Sequence, residues 1–372
     1  MSLRIAGMGW ITPLGRGLDE VWNQLLAGNE AFGQKISAGG NHKSYCGFLV
    51  PGDALKGLPL HARLRRASAI SRFAVAAGLD AIAQAESTAP KIDMNRVALV
   101  FAASNGGVIY TKRFYHDIVE SGAQSASPLF FPETVFNAPA SHLAAILGIN
   151  GASYTVVGDG AVGILAIKMA NDLLESGSVD FCLVVAAEEA DWVLCDAYRK
   201  WRLVKPEPPI EPFYDPPRGT ILSEGAGALL LGREGLLRVD AISEGGNFSH
   251  QRDATVLVDR ILHELRDKGS TVVSSANGTF VDLAERAAIQ QQLPDSIVYS
   301  PKSALGESVG ASAIWQAVIA AQALLGKRLP PMLHANEHSG LRLARHSSAV
   351  GSSVVVLSCG LNQQAAGLRL SI

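Results

Sequence analysis

Aromatic residues make up only 6% of this 372-residue chain, charged residues 18%, and cysteine occurs four times. The thiols Cys46, Cys182, Cys195 and Cys359 lie far apart with no CxxC pair, which excludes a zinc ribbon or a disulfide framework. They read as small buried hydrophobes in a reducing cytoplasm. Neither charge dominates: 32 Lys and Arg stand against 34 Asp and Glu, with pI near 6.5, so nucleic acid and anionic membrane are not expected partners. The N-terminus lacks an uninterrupted apolar h-region, so no signal peptide is expected. The longest apolar helix candidate, 310–326, carries Gln316 and Gln322 and falls short of the ~20 apolar residues of a bilayer span. It reads as a buried core helix. No metal-ligand spacing stands out, and neither a metal nor a cofactor is expected.

What is present is apolar: 48% of the chain is hydrophobic, enough for a large core and for two or three domains by length. Apolar β-branched runs at 96–104, 227–232, 271–278, 296–303 and 352–360, and a strand-turn-helix unit at 154–187, alternate with helical patterns. Continuous apolar strands separated by helices require a sheet covered on both faces, so the class is α/β. Helices are expected at 19–27, 65–85, 161–176, 254–268, 283–292 and 311–325, with Gly177, Gly269 and Gly326 as stop signals. The 65–85 helix is small-residue-rich almost all round and suits a position between layers. Six prolines between Pro206 and Pro217 fit either an interdomain linker or an ordered surface loop. YTVVGDG at 154 and STVVSSANG at 270 echo one another, as a duplicated unit would.

The turn GDGAVG (158–163) follows a strand and opens a helix, with Glu188 at the end of the next strand. Those facts fit a dinucleotide site, pyrophosphate on the helix N-terminus and an acid on the ribose. Asp159 opposes it, since a carboxylate would stand among amides that must receive a diphosphate.

SYTVVGDGAVGILAI also resembles the active-site segment of β-ketoacyl-acyl-carrier-protein synthases, where Thr-Ala-Cys-x-Ser-Gly precedes a buried helix. The likeness continues through MGWITPLG, SNGG (104–107), FNAPASHLA (136–144), EPFYDPPRGTILSEGAGALLL (211–231), ANGT (276–279) and PKSALGESVGASA (301–313). It implies a thiolase-like α/β fold of five αβαβα layers, built from two pseudo-symmetric halves, 1–232 and 233–372, in one compact unit.

In that family a cysteine carries the acyl chain as a thioester, and two histidines donate hydrogen bonds to the enolate formed on decarboxylation. The resemblance puts Gly160 at the cysteine, Asn277 and Glu307 at the histidines, and the family's lysine at Lys302. Without a thiol at position 160 no covalent acyl intermediate forms there. Asn277 retains a hydrogen-bond donor, whereas an ionised Glu307 repels a malonyl carboxylate. Glu307 and Lys302 also fit a structural ion pair. In CGLNQQA, Leu361 stands where the family has its gating phenylalanine.

Chain length factors are the branch that resembles ketosynthases, lacks the cysteine and pairs with an active ketosynthase in type II polyketide or polyene systems. That resemblance implies tunnel-gating positions at Val108, Thr111 and Tyr115, which equally fit core packing on one helix face. It also points to Phe136 as a contact with the partner's pocket, and to Arg63, Arg65, Arg66 and Arg72 as a docking patch for an acyl carrier protein or a solvated helix face. The implied partner is an active ketosynthase in a heterodimer, or a second copy. The alternative is an enzyme of divergent chemistry, a transferase or decarboxylase that uses Glu307 and Asn277 on acyl thioesters without a covalent intermediate.

Overall fold

The computed structural model describes residues 2–37, 43–87, 91–346 and 348–372. Ten main strands form one mixed sheet: β1 (Leu3–Thr12), β2 (Val97–Ala103), β3 (Ser153–Val157), β4 (Phe181–Glu188), β5 (Gly225–Gly232), β6 (Leu237–Ile242), β7 (Thr271–Val273), β8 (Ile297–Tyr299), β9 (Ser353–Cys359) and β10 (Gln364–Ser371). From β1 outward the order is β1, β5, β4, β2, β3, with two antiparallel contacts followed by two parallel ones. From β6 outward, β6, β10, β9, β7, β8 repeats both the order and the directions. β1 and β6 pair antiparallel and join the two halves.

The helices repeat in the same way. α1 (Ala69–Glu86) and α4 (Ala254–Leu265) each follow the first strand of a half; α3 (Val162–Glu175) and α6 (Ser312–Gly326) follow the third. Between them, α2 (Val108–Ser121) opens directly after β2, and α5 (Phe280–Gln292) links β7 to β8. α3 packs on β2, β4 and β10, and α6 on β5 and β9, so both lie between the two half-sheets. α1 covers the outer face of the first half, and α4 and α5 that of the second, completing five layers. The apolar runs follow from this burial: β2, β5 and β9 are buried along their whole length. α6 is buried at nearly every position, and its Gln316 donates from Nε2 to the Leu357 carbonyl at 2.6 Å. Gly9 lets α1 sit on β1, for a Cβ there would come within 2.8 Å of the Ala81 nitrogen.

Several expectations change. The 65–85 helix starts at Ala69, after a separate 3₁₀ turn Ala62–Arg65, and the Ala138–Leu147 and Trp192–Lys200 helices were not anticipated. α4 ends at Leu265, short of Gly269, and at the end of α6 it is Lys327 (φ 52°), not Gly326, that turns left-handed. The proline-rich segment is a packed loop and not a linker: Ile210 and Phe213 are fully buried, and the Phe213 N–H donates to Asp282 Oδ2 at 2.7 Å. The Thr-Val-Val echo is not the trace of the duplication, because β3 corresponds to β8 and β7 to β2.

β3 also departs from the doubly covered pattern. It is the outermost strand of its half, with Tyr154 43% and Val157 51% exposed. Its counterpart β8 is buried at Val298 and Tyr299, and its edge is paired by Arg342–Leu343.

Candidate active site

The β3–α3 turn places Gly158, Asp159 and Gly160 at the base of a buried helix. Gly160 is itself buried, and a Cβ there would meet Gly360 Cα at 2.8 Å and the Gly360 nitrogen at 3.4 Å. The residue therefore does not face an acyl-sized cavity, nor does the turn have room for a diphosphate. Asp159, 3% exposed, accepts through Oδ2 from the N–H groups of Asn362 (2.8 Å) and Gln363 (3.1 Å). Its carboxylate occupies the amides that surround it. Glu188 is likewise no ribose ligand: it is 2% exposed and accepts from the N–H groups of Ser104 and Asn105, fixing the loop that opens α2.

Asn277, Lys302 and Glu307 converge on one buried network. Lys302 Nζ donates to Glu307 Oε1 at 2.7 Å, Asn277 Nδ2 to Glu307 Oε2 at 2.7 Å, and Ser312 Oγ to Glu307 Oε1 at 2.9 Å. Thr279 Oγ1 donates to Asn277 Oδ1 at 2.6 Å. The structural ion pair is therefore the arrangement observed, with Lys302 and Glu307 each 3% exposed and Asn277 fully buried. Burial pulls the Lys302 ammonium below the ordinary lysine value, with Glu307 opposing that pull. Two acids hold the loop that carries Asn277. Asp282 accepts from the Asn277 N–H at 2.7 Å and the Gly278 N–H at 3.0 Å, and Glu285 from the Ser275 N–H and both the Ser274 and Ser275 hydroxyls.

One thiol close to this network was missed in the sequence. Cys359 precedes Gly360, its N–H donates to Ser275 Oγ at 2.9 Å, and its side chain feels Glu285, Asp159 and Glu307. Burial first, and those acids second, push the thiol well above its ordinary value, so it stays protonated and is a poor nucleophile at neutral pH. Its place beside Gly360 in CGLNQQA was the available signal.

Of the tunnel candidates, Val108, Thr111 and Tyr115 share α2, and the Phe136 ring packs at Gly106, just ahead of that helix. Val108 and Thr111 are half-buried on α2, where Thr111 Oγ1 donates to the Gly107 carbonyl at 2.8 Å. Tyr115 is 61% exposed and Phe136 42%. α2 has no fully buried residue, so ordinary core packing does not account for its apolar face. Leu361 is buried elsewhere, in the floor of a cleft of about 780 Å³ shared with Trp201, His250 and Arg252. Arg65 and Arg72 line a separate groove with Leu58 and Leu60, near Arg63 and Arg66. Among the described residues none of these four arginines has a carboxylate within 4.0 Å.

Residues 2–235 match the model of the β-ketoacyl synthase N-terminal domain. The chain belongs to the β-ketoacyl synthase family. It is similar to 3-oxoacyl-[acyl-carrier-protein] synthase 2 of Vibrio cholerae, 22% identical over 391 residues that cover 95% of this chain and 94% of that one. The polyketide biosynthesis malonyl-ACP decarboxylase PksF of Bacillus subtilis is 28% identical over 243 residues, 62% of this chain and 57% of that one. Among solved structures, the ishigamide ketosynthase/chain length factor superposes with TM-score 0.86 at 20% identity, covering 100% of this chain and 98% of that one. The ketosynthase ApeO in complex with its chain length factor ApeC, from Xenorhabdus doucetiae, gives 0.85 at 19% identity, covering 100% and 98%. These likenesses establish the ketosynthase fold. Within it, the buried centre of this family member is acidic, with Asp159, Glu285 and Glu307 near the ammonium of Lys302.

Lys302→Met leaves the Glu307 charge uncompensated and should cost about 3–5 kcal/mol in urea denaturation, while Lys302→Met combined with Glu307→Gln should cost less than the sum of the two single changes. Burial raises the carboxyls of Glu188 to about 8, and of Glu189 and Asp282 to about 7. Folded values above unfolded ones mean that this contribution is full below the ordinary carboxyl range and drains as pH climbs through 7 and 8. The melting temperature should therefore fall as pH rises from 5, most steeply between about pH 5 and pH 7, and level off above about pH 8.

Proposed function

We propose that this chain is a non-condensing, chain-length-factor-like subunit that pairs with an active β-ketoacyl synthase in type II polyketide, polyene or fatty-acid-like biosynthesis. The observation that carries this reading is the turn at Gly160: it offers no nucleophilic atom, and the Gly360 backbone fills the place where one would stand. Where the family has two histidines, Glu307 accepts from Asn277 Nδ2 through one oxygen and from Lys302 Nζ through the other.

The open edge supports a partner. The two halves share one topology, yet among the described residues only the second has its outer strand paired, at Arg342–Leu343, while β3 is an edge strand with Tyr154 and Val157 exposed. Tyr115, Leu129, Phe131 and Phe136 are also more than a third exposed, apolar surface of the kind an interface covers. A partner seated there lies against α2, so Val108, Thr111, Tyr115 and Phe136 contribute to a shared tunnel, with the arginines at 63, 65, 66 and 72 available to an acyl carrier protein. A self-dimer uses the same edge.

PksF gives a second reading, malonyl-thioester decarboxylation without condensation, because that relative's name states this activity. The acidic centre weighs against it, since a malonyl carboxylate meets Asp159 and Glu307 with Lys302 already paired.

Co-expression with the ketosynthases encoded beside it should yield a stable heterodimer, and Val157→Lys on the β3 edge should abolish co-purification while leaving the monomer folded. Recovery of monomer alone with every candidate contradicts the proposal. Turnover of malonyl thioesters by the lone chain, lost in Glu307→Gln, supports decarboxylation instead.

A further inference from the structure

Two loops from opposite halves of the duplication meet at residue 160, and one side chain ties them together. The loop between β9 and β10 touches the turn on one side, through Gly360 against Gly160 and through Asn362 and Gln363 against Asp159. On its other side Leu361 and Asn362 line the 780 Å³ surface cleft. The loop is thus the wall between the cleft and the turn.

The wall is fastened by a built contact. Two consecutive N–H groups, those of Asn362 and Gln363, form an anion nest that holds Asp159 Oδ2 at 2.8 and 3.1 Å. The Asp159 N–H returns a bond to Gln364 Oε1 at 3.2 Å, and Ser358 Oγ donates to the Gly160 carbonyl at 2.8 Å. A Cβ at position 360 would overlap Asp159 Oδ2, so glycine is needed where the carboxylate crosses the loop. Asp159 is buried, and its Oδ1 has no hydrogen-bond partner among the described residues, which leaves the two amides as its anchor. Bonds from amides to a charged acceptor, sealed from water, are the strong kind.

We propose that Asp159 is a positioning residue that locks the 360–363 loop onto the turn and shuts the passage from the surface cleft to residue 160. The closure is a property of this chain's own loops and stands apart from the identity of any partner.

Hydrogen exchange read by mass spectrometry on the full chain tests this, comparing the parent with Asp159→Ala and Asp159→Asn. In Asp159→Ala the amides of Asn362 and Gln363 should exchange at least about tenfold faster, as loss of charge-assisted bonds requires, while the α6 peptide keeps its protection. Asp159→Asn keeps an acceptor oxygen without the charge and should fall between the two. Unchanged exchange at 362 and 363 in folded Asp159→Ala overturns the lock. So does an equal rise at α6 and at 362–363 in both variants, because that pattern marks general destabilisation instead of local release.

Discussion

The contact between the Gly160 and Gly360 backbones fixes what this site is able to do. It requires glycine at both positions, for any Cβ at 160 would press on the Gly360 main chain. It also brings the β9–β10 loop close enough for its amides to receive the Asp159 carboxylate. The ketosynthase framework around it is retained because α3 and α6 fill the middle layer and hold both half-sheets together. The sequence constraint there is packing, which is independent of chemistry.

Carboxylates do the corresponding work in the loops. Glu188 holds the 104–105 loop, Glu189 accepts from the N–H groups of Ile70 and Ile109 at the starts of α1 and α2, and Asp282 and Glu285 hold the loop that carries Asn277. Each buried acid replaces water for backbone donors that would otherwise be orphaned. Around Lys302 stand the carboxyls of Glu307, Glu285 and Asp159, whose bonds to amides, hydroxyls and the ammonium hold the loops in place. The unpaired β3 edge supplies the complement: an architecture rigid inside and unfinished on one side.

Much of the fold was legible. Continuous apolar runs exposed the doubly covered strands, and motif order carried the resemblance to the ketosynthases before any coordinate was considered. Helix ends were less legible, as at Lys327, where a lysine takes the left-handed position that glycine was expected to fill. The echo at 154 and 270 misled because Thr-Val-Val fits any buried strand entering a small-residue turn. At the site, Gly160, Asn277, Lys302 and Glu307 were each singled out by motif position, and the ion pair of Lys302 with Glu307 was among the readings. The Gly160–Gly360 contact was not readable, since it joins positions 200 apart in the chain. Asp159 looked like an obstacle to phosphate, and its partners on the distant loop became visible only in three dimensions. The exposure of Tyr115 and Phe136 was likewise not legible, because which face of a helix or loop meets solvent is set by the rest of the fold.

Intact-mass measurement of this chain and a co-purified ketosynthase, after incubation with an acyl or malonyl thioester of a carrier protein, tests the central claim most directly. The account predicts a covalent acyl adduct on the ketosynthase and an unmodified mass for this chain. An acyl or malonyl group covalently attached to this chain would contradict it.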